Sequence, residues 1–303
     1  MKKLLLTALS FLALTIPGRS EPRFDYDRPT VKTVINNGSP RSHVDLVFVG
    51  DGYTELEQRQ FDDDVKAASE YLWGFALFRD YKSYFNIHSV FVPSVREGSQ
   101  FKYAFGSEMS KGQQGFVEIT KRQEVARAAN KAPAADVVVV ITTLGGRAHA
   151  SGMVVLPGRS FQPLAHELGH AIGKLGDEYQ STSSLADRGD LGALESRSRD
   201  LGSPNLTLTK FIDPKDRDTI RKTAKWGHFL DLPDSFPLVS AYQGGGHQSI
   251  GVWRPTYTCV MNTNQAPFCP VCHEAMVQSI YRIAGIGFDD ASYHRRHPLT
   301  QWK

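Results

Sequence analysis

Apolar residues recur along this chain with two periods, and the places where the period changes mark its elements. Val44, Leu46, Val47, Phe48 and Val49 form a run ending at Gly50, which predicts a buried first strand over residues 43–50. Phe61, Val65, Ala68, Tyr71 and Leu72 then fall at helical spacing, in a helix opened by Thr54 or Glu55. Further strands are predicted over 86–93 and, from β-branched residues, over 137–143, with a helix over 115–129 between them. Residues 145–156 predict a glycine-rich turn feeding another strand, whose exposed edge could pair with an extended substrate backbone or simply with the sheet. Helix and strand alternate, so the fold class expected is α/β. Residues 21–40 predict only an extended, polar lead-in.

Beyond residue 178 the pattern breaks. Residues 180–258 carry scattered apolar pieces around Trp226, Phe229 and Tyr242 among many Gly, Pro, Ser and Asp, which predicts a loop-rich lobe without a core of its own. A last helix is expected over 270–284, turning Ala275, Met276, Ile280 and Ile283 inward. The expected organisation is thus one domain over 21–303, with an upper subdomain of about 41–173 and a lower one of about 174–303.

The first twenty residues are different in kind: Lys2 and Lys3, an apolar run over 4–16, then small residues around Gly18 and Ser20. That pattern predicts a secretory signal peptide over 1–20, the apolar run falling short of the ~20 residues needed to span a bilayer. The expected location is secreted or periplasmic, with no stable membrane association after cleavage. Removing Lys2, Lys3 and Arg19 lowers Lys+Arg from 35 to 32, equal to the 32 Asp+Glu, so the mature chain is formally neutral and no nucleic-acid partner is expected. Arg295 and Arg296, and the acidic run Asp62, Asp63 and Asp64, are read as solvated surface.

The candidate chemistry lies at His166, Glu167, Leu168, Gly169 and His170. In a helix the two histidines fall one turn apart on one face, where both imidazoles reach one cation. Glu167 points to one side, placed to take a proton from a water that zinc activates by lowering its pKa from 15.7 to about 7. Ser160 is available as a helix cap, Pro163 suits the first turn, and Gly173 ends the helix by taking a left-handed conformation. Zinc needs a third protein ligand, and Asp177 and Glu178 follow the turn. Asp177 is preferred for its short side chain, with Glu178 as the alternative.

Cys259, Cys269 and Cys272 all lie near the C-terminus; one disulfide and one remaining thiol are expected, with the pairing open. Cys269, Cys272 and His273 also match the spacing of a haem c attachment site, a weaker reading. Residues 205–207 (NLT) fit the glycosylation pattern.

The helix, glycine turn and acidic ligand resemble the metzincin arrangement, although the usual position of the third ligand, ten residues after the first histidine, is here Gly176. More specifically, the stretches 46–54 (LVFVGDGYT), 166–170 (HELGH), 177–179 (DEY), Arg254 with Pro255, 259–261 (CVM) and 268–272 (FCPVC) resemble the M64 peptidases, the family of a bacterial immunoglobulin A peptidase. That family shares the late acidic pair. The resemblance implies a metzincin-like catalytic domain, a mixed twisted sheet with the active-site helix above a loop-rich lobe that ends in a helix. It implies a zinc endopeptidase acting on protein or peptide, with one Zn2+ held by His166, His170 and Asp177, and Glu167 as base and acid. Met261 would form the methionine turn beneath the metal. It does not imply immunoglobulin cleavage, for which accessory domains would be expected. Tyr179, Arg254 and Tyr257 are conceivable oxyanion donors. The rival expectation is an exported metal-binding or interaction protein on the same fold that has lost catalysis.

Overall fold

The computed structural model describes residues 23–180 and 202–302. The signal-peptide reading of residues 1–20 lies outside them. No helix among the described residues is long and apolar enough to cross a membrane.

Four strands build the parallel centre of a six-stranded sheet. They are β2 (Val44–Asp51), β3 (Phe85–Phe91), β8 (Val137–Thr142) and β10 (Val154–Leu156), and each edge carries an antiparallel strand, β1 (Thr30–Ile35) or β9 (His149–Ala150). The order is β1-β3-β2-β8-β10-β9, a mixed α/β architecture. β2 is buried along its whole length and divides its side chains by the two-residue period of a strand. Val44, Leu46 and Phe48 enter one core, Val47 and Val49 the other. On the first face lie α1 (Gln58–Trp73), the short α2 (Ala76–Asp80) and the metal-motif helix α4 (Leu164–Ala171); on the second lies α3 (Arg122–Ala129).

Two expectations change here. The lead-in contains β1, whose residues pair with β3 from Thr30 opposite Phe91 to Ile35 opposite Ile87. The helix expected over 115–129 begins only at Arg122; before it, β7 (Val117–Ile119) buries Val117 and Ile119, turns Glu118 outward and pairs with β6 (Ser107–Met109). Alternation over three residues outweighed the helical spacing that follows.

The lobe is more ordered than its composition predicts. β11 (Thr207–Leu208), β12 (Tyr242–Gly245) and β13 (Gln248–Arg254) form an antiparallel sheet in the order β11-β13-β12. Trp226, Phe229 and Trp253 join α6 (Pro270–Ile283) in the same apolar cluster as the sheet face that carries α4. Between α3 and α6 in the chain lies the short α5 (Arg217–Thr223), capped by the Asp216 carboxylate.

Asp51, at the end of β2, is fully buried and accepts hydrogen bonds from the Phe105 amide at 3.0 Å, the Ser107 amide at 3.0 Å and the Ser107 hydroxyl at 2.6 Å. It thereby fastens to the sheet the segment after β3, beyond the hairpin of β4 (Val95–Glu97) and β5 (Gln100–Lys102). Asp51→Ala leaves those amides buried without an acceptor and should lower stability by at least about 2 kcal/mol, read from the urea midpoint. An unchanged midpoint would show that the segment finds other acceptors.

Candidate metal centre

Helix α4 carries both histidines, and its entry is held by a charge pair rather than by a cap. Ser160 does not cap it; Pro163 occupies the cap position with no side-chain acceptor. Instead Arg159, with φ of 59°, sends its guanidinium to Asp64 on α1, Nε to Oδ2 at 2.6 Å and Nη2 to Oδ1 at 2.8 Å. The Tyr53 hydroxyl donates to the same carboxylate at 2.7 Å. Asp64 is therefore buried in a bidentate pair, which corrects its reading as solvated surface, whereas Asp62 pairs outside with Lys32.

The helix end also differs from expectation. The left-handed residue is Lys174, at φ 54°, and not Gly173. Gly173 is required by proximity: a Cβ there would stand 2.6 Å from the Met276 sulfur and 3.0 Å from the Gly169 carbonyl. The chain then reverses, with the Leu175 amide donating back to Gly169 O at 3.1 Å.

Each ligand-type imidazole is oriented from behind. His166 Nδ1 lies 2.9 Å from the Val260 carbonyl and His170 Nδ1 2.6 Å from the Leu175 carbonyl. A donor at Nδ1 leaves Nε2 as the free acceptor, the arrangement that suits a metal ligand. The two Nε2 atoms are 3.1 Å apart, and Asp177 Oδ1 lies 3.0 Å from that of His166 and 3.2 Å from that of His170. Ligands at zinc distances around a tetrahedral ion stand about 3.3–3.5 Å apart, so these three donors fit one ion with shifts of a few tenths of an ångström. Burial would raise the Asp177 carboxyl, but the imidazoles of His166, His170 and His247 around it hold it far below the usual carboxylate range.

Glu178 is not in this group. It is fully buried on the other side of the chain, with Asn205 Nδ2 at 2.9 Å and Cys272 Sγ at 3.2 Å from its Oε1, and burial pushes its carboxyl up to about 8. Asn205 also spans Gly176, accepting from its amide at 2.8 Å and donating to its carbonyl at 2.9 Å. With no exposed surface and its amide committed, Asn205 is not available for glycosylation.

Glu167 lines a cleft of about 440 Å³ together with His166, Tyr179, Arg147 and Asn262. Burial pushes its carboxyl up, against the two imidazoles, which favour the charged form. Tyr179 stacks on His166 at 6.2 Å between ring centres. Of the other two residues considered as oxyanion donors, Arg254 is buried with Nη1 bound to the carbonyls of Gln243 and Gly244, and Tyr257 is exposed beside Tyr242.

Sequence reasoning missed His247, whose Nε2 lies 3.2 Å from Asp177 Oδ2. It stands at φ 65° after three glycines, and its loop bonds the acidic segment through Gly246 N to Asp177 O at 2.6 Å and His247 N to Tyr179 O at 3.2 Å. No local spacing links residue 247 to residue 166; the only signal was a histidine inside a glycine run. Arg147 and Asn262 were missed for the same reason.

Met261 packs directly beneath the helix, where a Cβ on Gly169 would stand 2.6 Å from its sulfur. The Met261 carbonyl accepts from the Glu178 amide at 2.8 Å. The three cysteines are free and buried, so the expected disulfide is corrected. Against the haem reading, His273 is buried, bonded to the Tyr293 hydroxyl at 2.8 Å and packed against Trp302.

A mixed sheet that sets two imidazoles and a carboxylate beside a buried glutamate at a cleft has the frame of a hydrolytic enzyme. The family model described as IgA peptidase M64 matches residues 33–238 and 221–280. The chain belongs to this M64 family, a family of metallopeptidases. No curated protein matches the chain.

Gly169→Ala should force the Met261 thioether and Leu175 outward, lowering stability by about 1–3 kcal/mol in urea denaturation. An unaltered midpoint would mean that the methionine yields without cost.

Proposed function

We propose that the chain is an exported zinc-dependent endopeptidase of metzincin-like type, with His166, His170 and Asp177 holding one Zn2+ and Glu167 acting as general base and acid. One observation supports it above the rest: the His166 and His170 Nε2 atoms and Asp177 Oδ1 converge within 3.2 Å of one another, at a cleft that Glu167 lines. Two imidazoles and a carboxylate suit zinc, leaving a position open for substrate. Bound there, the ion supplies Lewis acidity at the scissile carbonyl and brings the pKa of the attacking water to about 7. Glu167 takes that water's proton and delivers it to the leaving amine. Its burial favours the protonated form needed for the second transfer.

Gly146, Arg147 and Ala148 line the same cleft and lead into the edge strand β9. β9 ends the sheet, and an extended peptide pairing along that edge would add a strand to it, which supports a protein or peptide substrate. Export rests on the basic start and apolar run of residues 1–20.

Glu167→Ala should reduce cleavage of a mixed peptide library by about 10²–10⁴-fold, with the metal retained. Background cleavage by both proteins, each with zinc bound, would favour the non-catalytic binding protein. Asp177→Ala should lose one equivalent of zinc per chain in elemental analysis; full retention would remove Asp177 from the ligand set.

A further inference from the structure

A second donor group lies on the far side of the acidic segment. The Glu178 carboxylate and the sulfurs of Cys259, Cys269 and Cys272 all fall within 4.8 Å of one another, and all four residues are buried. None of the cysteines is in a disulfide. Glu178 Oε1 is 3.2 Å from Cys272 Sγ, while Oε2, without solvent exposure, has no hydrogen-bond partner. Three thiols and an unpartnered carboxylate oxygen in one dry pocket are a costly arrangement unless something positive is shared among them.

We propose that Cys259, Cys269, Cys272 and Glu178 form a closed structural metal site, with Zn2+ as the ion its donors select. Four sulfur and oxygen donors without an open position are the composition of a structural zinc site, and thiolates favour zinc over harder cations. Zinc–sulfur bonds of about 2.3 Å in a tetrahedron put sulfurs about 3.8 Å apart, inside the observed spread. The backbone supplies thiolate acceptors with donors: the Cys269 amide points to Cys259 Sγ at 3.4 Å and the Cys272 amide to Cys269 Sγ at 3.5 Å. Cys269 caps α6, a 14-residue helix whose N-terminal dipole favours thiolate. Asn205 Nδ2 holds Glu178 Oε1 at 2.9 Å, as outer partners of metal ligands do. Each thiol that binds gives its proton to solvent, so loading is coupled to pH.

The site joins two segments that carry the first one to the start of α6. Glu178 follows Asp177 directly, and Cys259 precedes Val260, whose carbonyl orients His166. An ion here fixes the acidic segment, the methionine turn and the start of α6 to one point.

The test is metal content of the purified protein and of its His166→Ala/His170→Ala variant, with thiols counted by alkylation after unfolding. Two equivalents of zinc in the wild type, one in the variant and three alkylatable thiols in both are expected. Cobalt exchanged into the variant should then show a thiolate-to-metal charge-transfer band in the near ultraviolet. One equivalent in both proteins, with that band, would keep this site and remove the ion from the histidines. A metal-free variant with three thiols would overturn the proposal, and so would a single alkylatable thiol, which means a disulfide. Cys272→Ser in the same background should lose the remaining ion; if it does not fold, the cobalt spectrum of the variant decides alone.

Discussion

The turn at residues 259–263 is gripped from two sides, and the geometry of the whole site depends on that grip. The Val260 carbonyl meets His166 Nδ1 at 2.9 Å, and the Met261 carbonyl accepts from the Glu178 amide at 2.8 Å. The Met261 sulfur fills the space left by the missing side chain of Gly169. Helix and acidic segment are separate pieces of chain after the reversal at Lys174; the turn is the common surface that both are built on. Its hydrogen bonds contribute only about 1 kcal/mol each, but leaving any of these buried groups unpaired costs more. That asymmetry keeps the three segments in one arrangement.

The sheet contributes position rather than chemistry. Its parallel centre places β10 immediately before α4, and the Arg159 to Asp64 pair ties the connection between them to α1. A displaced entry would rotate both imidazoles away from Asp177, since each side chain inherits its direction from the helix axis. The lobe then closes from below, sharing one apolar cluster with α4 and α6, so the cleft lies where the upper sheet and the lower turn meet.

Asp177 and Glu178 show how adjacent residues come to face different surroundings. The segment is bonded on both sides like a strand, Glu178 N to Met261 O and Gly246 N to Asp177 O. Successive side chains of such a segment point opposite ways. Asp177 therefore faces the histidines while Glu178 faces the cysteines. Gly176, directly before this segment, is fixed in turn, its amide and carbonyl both bound by Asn205.

What was legible in the sequence was whatever depends on neighbours within a turn or a strand. Apolar runs located β2, β3 and β8, and helical spacing located α1 and α6, because burial of one face imposes a period directly on the chain. The one-turn spacing of His166 and His170 likewise needs only a local helix. Where a short element received its order from a distant partner, as with β1 on β3 or β11 on β13, composition carried no period to read. The direction of Glu178, the commitment of Asn205, the meeting of the three cysteines and the arrival of His247 beside Asp177 were decided by tertiary structure alone. Each joins residues tens of positions apart, and such contacts are set by how the lobe packs against the sheet, on which local sequence leaves no mark.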